Sequence, residues 1–578
     1  MAQAQEIIAP ALQRLGLVGC GIMGRGIAQI AAQAGLQVLL FDAQPDAAAQ
    51  ARQQLLAQWG KLQDKGKLDA ASVAQCTAAL QVVSSLNEFA DCDIVVEAIV
   101  EQLEAKRALL ARLDAVVAPD CILASNTSSL SITAIAAGSA WPRRVAGFHF
   151  FNPVPLMKVV EVIPGALSDE TVVQQLCNLA QRIGHRAVRA SDTPGFIVNH
   201  AGRGYVTEAL RIVQEGVADF ANIDAILRGA CGFRLGPFEL LDLTGLDVSH
   251  PVMESIYSQY YQEPRYRPSL IARQRLAAGL LGRKSGRGFY DYRPAGADGP
   301  ASALPFAAIP ASTGAPASTG APASASVAPS SVTQPATTPA LMLNALPGVD
   351  NTLPVDVEAS LLAAAPALLT SFKPVTTLPV WIGPCPVAAR EQIEALLLRC
   401  GITPEHCEQP GPLALCLVVP LGEDVSSCVE RFGLDASRTL GIDVLTDCAG
   451  HLTLMKNPAT CVSLAAQAVA LFERSAQGVS LIADSYGFIV QRVLAMIINI
   501  ACDMLQQGIC SPLDLDAAVT LGLAYPRGPL AWGDALGPRR VLTILQNLAR
   551  TTGDPRYRPS PWLTRRAQLG LSLLHIAN

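Results

Sequence analysis

Three segments in the first half of the 578-residue chain recur in its second half at a nearly constant spacing. The offset is 292 residues for two pairs and 291 for the third. The pairs are SDTPGFIVN at 191–199 with ADSYGFIVQ at 483–491, RLGPFELLD at 234–242 with PRGPLAWGD at 526–534, and EPRYRPS at 263–269 with DPRYRPS at 554–560. These matches indicate an internal duplication, so the fold must contain two related regions.

A change in composition separates the two copies. From Pro294 to Pro339 the sequence is dominated by Ala, Pro, Ser, Thr and Gly, and it includes the near-repeat ASTGAPASTGAP at 311–322. Such a segment buries too little apolar surface to offset the entropy lost on ordering. We therefore predict a flexible linker between the copies.

Two hydrophobic patterns distinguish the parts of the first copy. Between residues 15 and 165, six short β-branched runs alternate with helical stretches, which predicts βαβ units and a largely parallel sheet. The runs are LGLV, QVLLF, DIVVEAI, CILAS, RVAGFHF and KVVEVI. The duplicated segments instead have apolar residues at helical spacing. The predicted fold is an α/β, Rossmann-type doubly wound sheet followed by an all-α helical domain, with a degenerate second copy after the linker.

The first turn of the predicted sheet carries the pattern Gly19-x-Gly21-x-x-Gly24, directly after a strand and at the start of a helix. Backbone amides and the helix N-terminus at such a turn can face a pyrophosphate. The second strand ends at Asp42, 23 residues after Gly19, where a carboxylate accepts hydrogen bonds from a ribose and repels a 2′-phosphate. A glycine-rich turn without a ligand is the alternative, but Asp42 favours a cofactor site, and the predicted cofactor is NAD rather than NADP.

These patterns divide the chain into five predicted regions. They are an NAD-binding Rossmann domain at 12–190, a helical domain at 191–293, a linker at 294–373, a degenerate α/β segment at 374–480 and a second helical domain at 481–578. In the second α/β segment, the stretch GPCP at 383–386 lacks the glycine pattern, and Gln491 stands where the first copy has Asn199. We expect no dinucleotide site there.

Charge and cysteine usage exclude several kinds of function. The net charge of −5 and the scattered basic residues give no surface suited to nucleic acid or an anionic membrane. The 15 cysteines occur without CxxC pairs or zinc-site spacing, so we expect reduced thiols and no metal. No leader or membrane-spanning run is evident, which makes the cytoplasm the expected compartment.

His149 and Glu161 are the unusual polar residues of the predicted sheet. Each lies within an apolar run, 12 residues apart. A single histidine on an apolar strand is more often a hydrogen-bonded core residue than a catalytic one. However, ligands bind at the carboxyl ends of strands in such sheets, a buried acid needs a partner, and oxidation of an alcohol needs a base near neutral pH. We therefore predict that Glu161 orients His149 as a general base.

Six motifs in order resemble the L-3-hydroxyacyl-CoA dehydrogenases over residues 12–293. They are VGCGIMGRGIAQ, VVEAIVEQLEAK, SNTSSLSI, FHFFNPVPLMKVVEVI, DTPGFIVN and GRKSGRGFYDY. The resemblance implies NAD-dependent oxidation of an (S)-3-hydroxyacyl-CoA to the 3-oxoacyl-CoA. It also implies that His149 is the catalytic base, that Glu161 orients it, and that Ser128 and Asn199 hold the substrate's 3-oxygen.

The resemblance implies further residues around the two ligands. The cofactor-binding positions are Gly19, Gly21, Ile22, Met23, Gly24, Asp42, Glu101, Lys106, Ser128, Asn152 and Lys284. The basic stretch KLQDKGK at 61–67 lies where the family contacts coenzyme A, and Lys65 is the residue we select there. A lysine at an exposed helix end is more commonly only solvated.

The whole chain, with its linker and second copy, resembles the longer bacterial members that oxidise 3-hydroxyadipyl-CoA in phenylacetate degradation. The alternative substrate is 3-hydroxybutyryl-CoA, oxidised in fatty-acid metabolism. Two alternatives of other classes are a non-catalytic NAD-binding relative and an NAD enzyme that acts on a free β-hydroxy acid. Family members pair through their helical domains. We therefore expect residues 481–578 to dock on residues 190–293 as an internal pseudo-dimer, with a further homo-oligomer left open.

Overall fold

The computed structural model describes residues 12–293, 378–448 and 450–576. The linker predicted at 294–373 lies outside these residues. The described part contains two mixed sheets and two helical regions.

The first sheet has eight strands in the order β3-β2-β1-β4-β5-β6-β7-β8. The strands are β1 Arg14–Val18, β2 Gln37–Phe41, β3 Leu80–Val82, β4 Ile94–Glu97, β5 Ile122–Ser125, β6 Val145–Phe150, β7 Val159–Pro164 and β8 Arg186–Arg189. Neighbouring strands are parallel except β6 and β7, which are antiparallel. The Rossmann-type sheet is confirmed, and all six predicted strands form. The sequence did not predict β3 and β8, because these two strands are short and partly exposed.

Six helices connect these strands. They are α1 Ile22–Gln33, α2 Ala47–Asp64, α3 Ala70–Ala79, α4 Leu103–Asp114, α5 Ile132–Ala136 and α6 Glu170–Arg182. Apolar residues of β1, β2, α1 and α2 form one core on one face of the sheet. A second core on the other face continues into the helical region, so the sheet and the helical region are packed as one body.

The helical region of the first copy follows β8. Its helices are α7 Val198–Ala201, α8 Arg203–Gln214, α9 Phe220–Cys231, α10 Pro237–Thr244, α11 Leu246–Gln259 and α12 Leu270–Ala277. Helix α8 is buried along most of its length, from Gly204 to Val213. It therefore forms the centre of this region, as its apolar spacing predicts.

The second α/β segment has five strands in the order β13-β12-β11-β10-β9. Its strands are β9 Val380–Ile382, β10 Leu415–Val418, β11 Thr439–Ile442, β12 Leu452–Lys456 and β13 Val479–Ile482, and its helices are α13 Val387–Arg399, α14 Val425–Phe432 and α15 Val462–Phe472. Only β11 and β12 are antiparallel, so these five strands repeat the pattern of β4 to β8. The stretch GPCP at 383–386, which we compared with the glycine turn between the first strand and helix, follows β9, and topology places β9 and α13 at β4 and α4 instead. Within the described residues, this sheet has no counterpart of β1–β3.

The second helical region repeats the first. Its helices are α16 Ile489–Gln506, α17 Pro512–Gly522, α18 Pro529–Leu536, α19 Pro538–Thr552 and α20 Pro561–Leu569. In the described part of the chain, α16 alone is long and apolar enough to cross a membrane, yet 89% of its apolar window is buried inside the protein. Helix α16 is thus packed as a core helix.

The two helical regions contact each other with an internal two-fold pattern. The amide of Ser191 donates to the carbonyl of Ile509 at 2.8 Å, and the amide of Ala483 donates to the carbonyl of Val217 at 2.9 Å. Both residues of one bond are offset by 292 positions from those of the other. Such reciprocal pairing is the mark of an isologous two-fold interface. Here both partners belong to one chain.

Candidate active site

The glycine turn between β1 and α1 forms one wall of a cleft. Gly19 has φ +95, and a Cβ there would lie 2.6 Å from the carbonyl oxygen of Ala98, so only glycine fits. A Cβ at Gly24 would lie 1.9 Å from the carbonyl oxygen of Gly19, whereas nothing lies within 4 Å of one at Gly21. The turn thus packs tightly against the protein at Gly19 and Gly24 and is open at Gly21, directly before the first residue of α1. This geometry fits a pyrophosphate approaching the backbone.

Asp42 lies at the edge of the same cleft, directly after β2. One of its carboxylate oxygens accepts from the Cys20 amide at 2.7 Å, and the other from the Gln44 amide at 2.9 Å. The cleft has a volume of about 600 Å³ and is lined by the glycine turn, Asp42 and one face each of α2 and α4. Ile22 is 66% exposed in the first turn of α1, and Met23 is next to it. The residues of the cleft therefore fit a dinucleotide with a free ribose diol.

Lys106 is buried beneath the cleft in an ion pair that the sequence analysis did not predict. Its ammonium lies 2.9 Å from both carboxylate oxygens of Glu97 and 3.4 Å from Glu101. Burial raises the pKa of Glu97, and the Lys106 charge opposes that rise. Lys106 is only 1% exposed, so its contacts in this structure are with the two carboxylates. Glu97 lies in the quoted motif VVEAIVEQLEAK, and its position inside an apolar run is the same signal that pointed to Glu161 and could have found it.

Glu101 holds the loop that carries Ser128. One of its carboxylate oxygens accepts from the Thr127 hydroxyl at 2.7 Å, the Ser128 amide at 2.9 Å and the Ser129 amide at 3.0 Å. Burial favours the neutral form of Glu101, but Lys106 and these donors outweigh it and lower the pKa. An anionic Glu101 therefore fixes the position of Ser128.

His149 and Glu161 are directly opposite each other on the antiparallel strands β6 and β7. The Nδ1 atom of His149 lies 2.6 Å from a carboxylate oxygen of Glu161, and both side chains are buried. The other oxygen of Glu161 accepts from the amides of Ile197 and Val198, each at 2.9 Å. Glu161 is therefore held by three hydrogen bonds and occupies Nδ1, which leaves Nε2 of His149 for a reacting group. His149 lies inside β6, one residue before its end, rather than beyond it.

Asn199 follows the amides that bind Glu161, at the start of α7. Its side-chain amide points to the carbonyl of Ser128 at 3.4 Å, so the helical region and the nucleotide-binding sheet meet at these two residues. Asn126, which the sequence analysis missed, accepts from the Phe150 amide at 2.8 Å. It joins the Ser128 loop to the strand of His149. The structure thus brings together the four predicted catalytic residues, His149, Glu161, Ser128 and Asn199.

Three residues predicted to bind ligands form no hydrogen bond or ion pair with this cluster. Asn152 is exposed, two residues after β6. Lys284 is 45% exposed and forms an ion pair with Asp247. Lys65 is exposed at the end of α2, and its side chain makes no hydrogen bond or ion pair with any residue the structure describes. Contacts of these three residues with a ligand stay predictions.

The second copy has different residues at the place of the dyad. The register of β11 and β12 places Asp443 where His149 lies and Thr453 where Glu161 lies. Gln491, at the place of Asn199, donates to Asp443 at 3.1 Å. Burial raises the pKa of Asp443 to about 6. The second copy therefore lacks the histidine base at this place. Within the described ranges of the whole chain, no cluster of three His, Cys, Asp or Glu residues is suited to a metal.

Comparison with known proteins matches almost the whole chain to one protein family. The family model "3-hydroxyacyl-CoA dehydrogenase, NAD binding domain" matches residues 14–193, and the model "3-hydroxyacyl-CoA dehydrogenase, C-terminal domain" matches residues 195–292 and again 487–572. The second match of the C-terminal model supports the duplication of the helical region.

Individual relatives extend this comparison. The 3-hydroxyadipyl-CoA dehydrogenase of Escherichia coli is 35% identical over 96% of this chain and 98% of its own length. A crystal structure of 3-hydroxybutyryl-CoA dehydrogenase from Escherichia coli covers 97% of this chain and 99% of its own, with a TM-score of 0.74 and 33% identity. The 3-hydroxybutyryl-CoA dehydrogenase of Mycobacterium tuberculosis is 36% identical over 49% of this chain and all of its own length. The chain therefore belongs to the 3-hydroxyacyl-CoA dehydrogenase family and is an NAD-dependent enzyme of that family.

Proposed function

We propose that this enzyme oxidises an (S)-3-hydroxyacyl-CoA to the 3-oxoacyl-CoA with His149 as general base and Glu161 as the residue that orients it. The observation that carries this proposal is the 2.6 Å contact between Nδ1 of His149 and Glu161. That contact fixes one tautomer, in which Nε2 is unprotonated and can accept the proton of the substrate's 3-hydroxyl.

Each polar group of the cluster has a role in this scheme. NAD, when bound, supplies the acceptor for the hydride that leaves C3. The negative charge of Glu161 stabilises the imidazolium that forms when His149 takes the hydroxyl proton. Ser128 and Asn199 hydrogen-bond the 3-oxygen, and their positions are set by Glu101 and by the turn that binds Glu161.

We assign the cofactor to the cleft beside the glycine turn. When NAD is bound, Asp42 would accept hydrogen bonds from the adenosine ribose, and the first turn of α1, with Ile22 and Met23, would hold the pyrophosphate. Glu101 and Asn152 are further proposed contacts of the cofactor, and Lys106 keeps Glu101 anionic. Lys284, and Lys65 for coenzyme A, complete the proposed set of ligand-binding residues.

The proposed substrate is 3-hydroxyadipyl-CoA, formed during phenylacetate catabolism in the cytoplasm. The support is the relative of that name, which this chain matches across the linker and the second copy. Oxidation of 3-hydroxybutyryl-CoA is the second candidate, because the solved structure that matches over the same span bears that name. Acyl-CoA is the small-molecule partner in both cases.

A substrate panel distinguishes the two candidates. NADH formation is measured with 3-hydroxybutyryl-CoA, 3-hydroxyhexanoyl-CoA and 3-hydroxyadipyl-CoA at matched concentrations. We expect the highest kcat/KM with the dicarboxylate. The highest value with the four-carbon substrate would instead assign the enzyme to fatty-acid metabolism, and NADH formation from free 3-hydroxy acids would contradict both.

A further inference from the structure

Arg203, in the first turn of α8, places a cation beside the proposed catalytic residues. It follows Asn199 by four residues, and its Nε donates to the carbonyl of Asn199 at 2.9 Å. Its Nη1 is shielded from solvent and has no hydrogen-bond partner among the residues the structure describes. Burial lowers the pKa of Arg203 to about 10. A buried guanidinium nitrogen without an acceptor is costly, so this position is suited to an anion.

Tyr525, from the second copy, lies next to this guanidinium. Its ring packs against Tyr205 and Phe233, with centroids 5.7 and 5.1 Å away. Its hydroxyl is buried and, in the described part of the chain, also without a partner. Burial raises the pKa of Tyr525, and the charge of Arg203 opposes that rise. Two donors from different halves are thus unpaired at one place.

The segment that carries Tyr525 is packed against the helix of Asn199. A Cβ added to Gly202 would lie 3.3 Å from Leu523, and one added to Gly522 would lie 3.0 Å from Val198. The second copy therefore forms a wall directly beside α7. Arg203 as a whole residue is partly exposed, although its Nη1 is buried.

The internal repeat shows that this polar pair occurs beside His149 and not at the equivalent place beside Asp443. The 292-residue offset places Ala495 at the position of Arg203 and Phe233 at the position of Tyr525. The equivalent pair on the side of Asp443 is therefore Ala and Phe, which are both apolar. A purely structural role in the two-fold interface does not explain why the donors occur only beside His149.

We propose that Arg203 and Tyr525 bind the distal carboxylate of a dicarboxylyl-CoA substrate. This inference rests on the proposed function and names the residues that select its substrate. The guanidinium offers paired N–H donors to a carboxylate, and the phenol adds a third donor. With the 3-oxygen at Asn199, a short acyl chain that runs along α7 brings its terminal carboxylate to Arg203. The second copy thereby contributes a residue to the substrate pocket.

The test compares a charged and an uncharged acyl chain of equal length. Kinetics with 3-hydroxyadipyl-CoA and 3-hydroxyhexanoyl-CoA are measured for the full chain, for Arg203→Ala and for Tyr525→Phe, which introduce the residues of the repeat. We expect Arg203→Ala to lower the ratio of the two kcat/KM values by roughly 10–100-fold, mainly through KM for the dicarboxylate, and Tyr525→Phe to lower it by roughly 2–10-fold. Arg203→Lys should restore part of the ratio.

Controls separate this inference from the proposed function. Arg273→Ala removes an exposed arginine on α12 and should leave the ratio unchanged. An equal loss with both substrates in Arg203→Ala would overturn the inference and assign Arg203 a structural role. If the parent enzyme does not prefer the dicarboxylate, the substrate proposal fails, but the ratio for the variant still decides whether Arg203 contacts the carboxylate.

Discussion

The carboxylate of Glu208 lies 2.7 Å from the guanidinium of Arg492, and these two residues belong to different copies of the duplicated region. Their side chains are 0% and 3% exposed. Tyr557 donates to the same carboxylate at 2.7 Å, so the buried charge is fully surrounded by donors. The repeat offset puts Ile500 at the place of Glu208. This ion pair therefore occurs once and specifies how the two unequal copies meet.

Removal of one partner of this pair should destabilise the protein. Glu208→Gln removes the buried carboxylate that Arg492 and Arg556 share. Arg492 keeps its contact with Glu215 at 2.6 Å, and we expect the free energy of unfolding to fall by about 3–5 kcal/mol because two buried cations lose a buried anion. Urea unfolding followed by circular dichroism measures the change. The matched control is Glu170→Gln, in an exposed pair with Arg189, where a loss of no more than about 1 kcal/mol is expected. Equal losses of unfolding free energy in the two variants would show that the buried pair contributes no more to stability than the exposed pair.

The same carboxylate should make stability depend on pH. Burial raises the pKa of Glu208, but Arg492 and Arg556 outweigh it and lower the pKa below its usual value of 4.5. A depressed folded-state pKa means that this stabilisation is full above pH 4.5 and is lost as the pH falls toward the folded-state value. Thermal unfolding between pH 3 and 7 should therefore show a smaller loss at acid pH in Glu208→Gln than in the parent. Parallel profiles would argue that Glu208 does not titrate with folding.

Catalysis should depend on both members of the dyad. His149→Ala removes the proposed base, and we expect kcat to fall by roughly 10²–10⁴-fold with NAD affinity little changed. Glu161→Gln should also slow turnover, because a neutral amide does not stabilise an imidazolium in the same way. Steady-state NADH formation and NAD binding by fluorescence check this. The control is Asp443→Asn at the equivalent place in the second copy, which should keep full activity. Unchanged turnover in His149→Ala would remove it from the mechanism.

The choice of cofactor should depend on Asp42. Its carboxylate is fixed by the amides of Cys20 and Gln44, so it cannot turn away from a 2′-phosphate. We expect the parent enzyme to use NAD far better than NADP and Asp42→Ala to narrow that difference. The measurement is kcat/KM for each cofactor in both proteins. Equal use of NAD and NADP by the parent would contradict the role of Asp42.

Residues close together in sequence were easier to predict than contacts between distant segments. The His149 and Glu161 pair was predictable because each lies in an apolar strand where a polar side chain needs a partner. Glu97 lies in an apolar strand as well and by the same argument needs a partner, but its partner Lys106 lies on α4, and only the assembled fold shows that the two side chains meet. Arg203 and Tyr525 belong to segments that meet through the internal two-fold; the repeat predicts that the two helical regions dock, but not which side chains meet there. The short strand β9 likewise could not be assigned to β4 until its neighbours in the sheet were known.

The last prediction concerns the surface that the second copy covers. Helix α16 packs directly on α8, where a Cβ added to Gly204 would lie 2.9 Å from the backbone of Ile497. A chain that ends at Arg293 exposes this apolar face of α8, and large exposed apolar faces favour association. We expect such a truncated protein to dimerise through the freed face or to precipitate, as measured by light scattering. The control is the full chain cleaved within the linker, in which both copies are present and should stay associated. A truncated protein that is a soluble, fully active monomer would show that the second copy is not needed to cover α8.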